Sequence, residues 1–200
     1  MEFTLKRTVQ ITGLLLIAAA VTQAIYTALY VAELDVPRQL LWGLEGLLFV
    51  LLAAFAGSAL SDSKRYSLGY SAIAMSAVLN VVQVGVGLTM FGPFREVATE
   101  IEATAPAAGA IVAFSFMVYN AAKVLLALAA IVFGMARMNG GAKTLGGLTA
   151  LVGVVALVAN TLSMALGRGF MGEIPLAGGS GVLATLLLAL CLLKLPVDQD

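Results

Sequence analysis

The sequence predicts an all-α, polytopic membrane protein: one integral membrane domain over residues 1–200, built as a bundle of six transmembrane helices. Three observations carry that class. Hydrophobic residues make up 61% of the chain and charged residues only 11%, with a mean hydropathy of +1.03, whereas a soluble domain carries about 25% charged residues. Six apolar stretches each supply the roughly 20 residues needed to cross about 30 Å of hydrocarbon. The segments between them are short and hold charge or turn residues.

The spans follow one another at about residues 9–32, 39–61, 67–91, 107–136, 144–166 and 176–194. The first begins after Lys6 and Arg7 and stays apolar to Ala32. This start also resembles a signal peptide, with Thr22 and Ala24 at cleavage positions. A retained span is the better reading, because removing it leaves five spans around an unsupported polar face. Residues 33–38 separate it from the second span, and Asp62, Ser63, Lys64 and Arg65 separate the second from the third. The later breaks fall at 92–106, 137–143 and 167–175.

The break at 92–106 has a pattern of its own. Phe94, Val97, Ala98 and Ile101 recur at helical spacing opposite charged residues, and Pro93 suits a first helical position. A short amphipathic helix on the outer interface is predicted, with a solvated loop as the plain alternative and a lid over an outward-facing site as the functional extension.

Basic residues in short loops set direction. With the N-terminus cytoplasmic, Lys6, Arg7, Lys64, Arg65, Arg137, Lys143 and Lys194 lie inside, against Arg38, Arg95 and Arg168 outside. Both termini are therefore predicted to face the cytoplasm, in a bacterial-type cytoplasmic (inner) membrane.

The 11 basic and 11 acidic residues cancel, so no basic surface is predicted for nucleic acid. The chain has no histidine, which removes the commonest metal and haem ligand and the usual general base. No metal or cofactor is expected. Cys191 stands alone, cannot form an intrachain disulfide, and is predicted to pack.

Glu45 and Lys123 lie inside spans, where charges are costly and are usually paired or functional. Counting each helix from its cytoplasmic boundary at 1.5 Å per residue puts Gln23, Glu45, Asn80, Asn120, Lys123 and Asn160 roughly 21 to 26 Å deep. Polar residues also share faces: Gln23, Tyr26, Thr27 and Tyr30; Ser76, Asn80 and Gln83; Ser115, Tyr119, Asn120 and Lys123; Asn160 and Ser163. Five helices thus offer polar groups to one region, while the sixth, with Gly178, Gly179 and Ser180 at that height, reads as a packing or sealing helix.

The candidate ligand-binding or ion-pair residues are Glu45, Lys123, Asn120, Tyr119, Gln23, Asn80, Gln83 and Asn160. Asparagine, glutamine and serine also knit membrane helices together, and Asn80, Gln83, Asn160 and Ser163 fit that role. Gly43, Gly46, Gly57, Gly85, Gly87, Gly153, Gly178 and Gly181 suit close helix contacts. Trp42, Tyr26, Tyr30 and Phe91 suit an outer aromatic belt, and Tyr66 and Tyr70 an inner one. A faint internal echo pairs Val50 to Ala53 with Val124 to Ala127 and suggests parallel repeats.

Three functions fit, in this order. One is a small transporter or ligand-binding carrier with its polar site around Glu45 and Lys123. The second is a non-catalytic subunit or assembly factor of a membrane complex. The third is an intramembrane enzyme using Glu45, Lys123 and Tyr119 as acid and base groups. Membrane lipid is the expected surrounding, and a small solute or a membrane protein the expected partner.

Overall fold

A computed structural model describes residues 4–32, 34, 37–167 and 176–196. It is all-helical, with no strand among the described residues, and its six α-helices are long and apolar enough to cross a membrane. They are α1 (Leu5–Val31), α2 (Gln39–Asp62), α3 (Ser67–Glu100), α4 (Ala105–Asn139), α5 (Lys143–Leu166) and α6 (Leu176–Leu193), with a single 3-10 turn at Glu102–Thr104. Six such helices are consistent with a multi-pass membrane protein. Glu33, Asp35 and Val36 of the first predicted break, residues 168–175 of the last, including Arg168, and the Tyr30 side chain lie outside the described residues.

Five of the helices close a ring in the order α1, α2, α3, α4, α6, with α6 packing on both α4 and α1. Among the described residues the remaining helix, α5, packs only on α4 and α6 and stands outside that ring. Among the described residues, no Cα of α1 or α2 comes within 8 Å of one in α4. Side chains therefore have to fill the middle of the bundle. Near the described chain ends, a Cβ on Gly13 of α1 would lie 3.0 Å from Leu193 of α6. We call this the terminal end; the α3–α4 connection marks the distal end.

The helix limits follow backbone chemistry. Pro106 sits in the first turn of α4, where its missing N–H costs nothing. Gly167, at φ +83°, ends α5 in a conformation that side chains resist. Pro93 gives a different result from the one its sequence context suggests: α3 runs through it without a break to Glu100. Proline deprives only the Thr89 carbonyl of its donor, and membrane helices tolerate such a gap because neighbouring groups adjust. The predicted amphipathic stretch is accordingly the last turns of α3 and does not start a helix of its own.

Closest packing is between α4 and α5. A Cβ on Gly146 would sit 2.5 Å from the Gly134 carbonyl oxygen and 2.6 Å from the Met138 nitrogen, and one on Gly134 would sit 2.7 Å from the Ala150 nitrogen. Gly153, Gly46, Gly87 and Gly181 also meet close neighbours. Gly43, Gly57, Gly85 and Gly178 do not, since added carbons there meet nothing within 4 Å. These four face away from other helices, which a small residue in an apolar run does not reveal.

Tyr66, Tyr70 and Phe133 likewise fill space inside the protein. Tyr70 is 1% exposed and stacks edge-on against Phe133 at 5.0 Å, with Tyr66 5.6 Å from the same ring. Phe133 rests on Gly69. Cys191 is buried, with its sulfur 3.2 Å from the Thr149 hydroxyl.

Candidate functional site

Gln23, Glu45 and Lys123 project from α1, α2 and α4 into the middle of the ring, where the α4 backbone stays apart from those of α1 and α2. Lysine, glutamine and glutamate all carry long side chains, and the gap needs that length. The Lys123 ammonium donates a hydrogen bond to Oε1 of Gln23. Glu45 interacts with the Gln23 side chain and is attracted to the Lys123 charge. The Gln23 amide nitrogen is buried and has no hydrogen-bond partner among the described residues. Gln23 is thus the link between two charges that are themselves buried, Lys123 at 0% and Glu45 at 6% exposure.

Two further residues shape Lys123. Its ammonium lies 5.3 Å from the centroid of the Tyr119 ring, one helical turn earlier on α4, a distance at which the ring face attracts a cation. Its stem runs across Gly181 of α6, where an added Cβ would sit 3.0 Å from Cδ. The sixth helix, expected only to seal the bundle, therefore holds the groove in which the lysine stem lies. The run of small residues around Gly178 to Gly181 was the available signal, but nothing in it names a partner.

The other candidates are placed elsewhere. Asn80 donates to the Ser76 carbonyl at 2.9 Å, and Ser76 donates to the Ala122 carbonyl at 2.8 Å, which ties α3 to α4. Gln83 donates to Ser115 at 3.3 Å across the same pair. Asn160 donates to the carbonyls of Ala156 and Ala177 at 2.8 and 3.1 Å, which ties α5 to α6 outside the ring. Asn120 is 6% exposed beside Tyr119. The buried carbonyl oxygens of Asn80 and Asn160 have no hydrogen-bond partner among the described residues.

A cleft of about 670 Å³ opens at the distal end between α1, α2, α3 and α4. Tyr26, Trp42 and Phe116 are its deepest lining positions on α1, α2 and α4. Each stands three residues above a cluster member: Gln23, Glu45 and Tyr119. The cleft floor is therefore about one helical turn, ~4.5 Å, above Gln23, Glu45 and Tyr119, and about two turns, ~10.5 Å, above the Lys123 backbone. Tyr26 and Trp42 lie 5.9 Å apart, and Trp42 and Phe91 5.7 Å apart, with Trp42 resting on Gly87. These aromatic side chains, expected as a belt toward lipid, instead contact one another across three helices. Phe94, Arg95, Ala98 and Thr99 form a wall of the cleft from the last turns of α3.

Chemically, the cluster offers an ammonium and a carboxylate that share one amide, with a phenol ring beside them. Such a set can bind an anion, bind a cation, or exchange a proton, provided water or solute crosses the aromatic floor. No protein-family model matches this chain, and no curated protein and no solved structure matches it.

Proposed function

We propose that this chain is a small transporter or ligand-binding carrier of a bacterial-type cytoplasmic membrane, with both termini inside and the distal cleft facing outward. One observation carries the reading: buried charges from α2 and α4, helices that do not pack on each other, converge on Gln23 beneath an open cleft whose floor lies one turn above Glu45. A polar group held between helices at mid-depth is what solute translocation requires. A polar layer serving only as glue would place its hydrogen bonds where helices touch, as Ser76 and Asn160 do.

Access from the outer side tests the proposal without knowledge of the solute. In a Cys191→Ala background, Gln23→Cys and Tyr119→Cys are exposed to a small, charged, membrane-impermeant methanethiosulfonate reagent. Both should react from the outer side, whereas Leu16→Cys, two turns deeper on α1 and 0% exposed, should stay inert. Labelling of the two site cysteines no faster than Leu16→Cys from either side would remove the carrier reading and leave a subunit or assembly role.

A further inference from the structure

The distal cleft carries chemistry that the buried cluster does not use. Its only ionised side chains among the described residues are Arg38 and Arg95, both basic. Glu96, Glu100 and Glu102 are near in sequence but do not line it. Arg38 donates one hydrogen bond to the Leu34 carbonyl at 3.0 Å and lies 5.4 Å over the Tyr26 ring, which leaves further N–H groups of its guanidinium for a ligand. The first turns of α2 and α4 also border the cleft, and neither has a side-chain cap. Their free N–H groups face the cleft alongside the carbonyl end of α3, so the two arginines supply its net positive charge.

The shape is equally specific. On α4 the lining runs from Ala105 to Phe116, about 16 Å of helix. Its positions there are small or apolar: Ala105, Ala108, Gly109, Ile111, Val112 and Ala113. A long apolar furrow with two guanidiniums suits a ligand with one anionic end and one hydrocarbon end. For a chain set in a bilayer, the abundant molecule of that kind is a lipid. The guanidinium fork matches phosphate oxygens in pairs.

We propose that the cleft binds an anionic membrane lipid, its phosphate held by Arg38 and Arg95 and an acyl chain lying along α4 from Ala105 to Phe116. This site is separate from the Glu45–Gln23–Lys123 cluster and does not depend on transport through it.

Trp42 is the single tryptophan and lines the cleft, so it reports occupancy directly. The full chain is placed in nanodiscs of phosphatidylcholine containing a minor fraction of bromine-labelled phosphatidylglycerol, or an equal fraction of bromine-labelled phosphatidylcholine. Quenching of Trp42 should be stronger with the anionic lipid. Arg95→Gln, at an exposed position that the fold does not need, should weaken the preference about tenfold, and Arg38→Gln with Arg95→Gln about a hundredfold, as expected for charge-assisted hydrogen bonds. Gly109→Phe, which fills open space in the cleft, should lower quenching by both lipids with the arginines intact. Lys123→Met combined with Glu45→Gln, which removes the cluster's charges without leaving one unpaired, should retain the anionic-lipid preference, which separates this proposal from the carrier reading. Equal quenching by both lipids, or a preference that survives loss of both arginines, overturns the proposal. So does a Trp42 response to aqueous hexyl phosphate with no lipid preference, since the occupant would then be a solute.

Discussion

Neutralising both members of the buried charge pair should cost less stability than neutralising one. In Lys123→Met the methionine fills the groove over Gly181, but Glu45, only 6% exposed, loses its counter-charge and Gln23 loses its donor. Removing one partner of a buried pair costs about 3 to 5 kcal/mol, and an unpaired ion at mid-bilayer costs about 2.5 to 3.5 kcal/mol on the insertion scale. In Glu45→Gln the Lys123 ammonium keeps Gln23 and the Tyr119 ring, so the loss should fall at the low end, about 2.5 kcal/mol. The double variant leaves no charge and gives up only neutral contacts, worth about 0.6 to 2 kcal/mol. The interaction energy of the cycle should therefore exceed about 2 kcal/mol in magnitude, far above the ~0.5 kcal/mol scatter of independent sites. Reversible unfolding in mixed micelles of a mild and a denaturing detergent, followed by circular dichroism, measures all four proteins on one scale. Additivity of the two single costs within about 0.5 kcal/mol would refute the coupling and, with it, the idea that Gln23 joins the charges.

Two other perturbations address the scaffold. Gly181→Val should push the Lys123 stem off α6, where Cδ already lies 3.0 Å from the position of an added carbon; the variant should lose about 1.5 to 3 kcal/mol, and adding Gln23→Leu should cost little more. An undiminished effect of Gln23→Leu in that background would show that the lysine still reaches Gln23. Gly146→Ala should separate α4 from α5, because the new carbon meets backbone at 2.5 and 2.6 Å, with a loss of about 1 to 3 kcal/mol or more. Gly43→Ala faces open space and should be neutral or stabilising by up to about 1 kcal/mol. Thermal melting of both variants ranks them, and equal melting temperatures would contradict the packing described for α4 and α5.

The sequence by itself determined the spans and the identities of the costly residues. Apolar length is a one-dimensional property, and a bilayer accepts few other ways of satisfying a backbone, so helix limits were readable to within a few residues apart from the start of α1 and the end of α3. Glu45 and Lys123 stood out for the same reason: a charge in apolar text has one interpretation, wherever the helices sit. Depth counting also brought Gln23 to their level, because rise per residue is fixed. Rotation and neighbourhood were decided only by the tertiary structure. Asn160 shares the depth of Lys123, yet α5 stands outside the ring and its amide bonds α6. Trp42, Tyr26 and Phe91 suit a lipid belt or a cleft floor equally well until α1, α2 and α3 are set side by side. Gly181 became part of the site because α6 closes the ring between α1 and α4, beneath a lysine 58 positions earlier in the chain. In lipid all apolar faces are alike to the solvent, so hydrophobic periodicity cannot say which face meets protein. Packing, made by small residues and a few long polar ones, makes that choice.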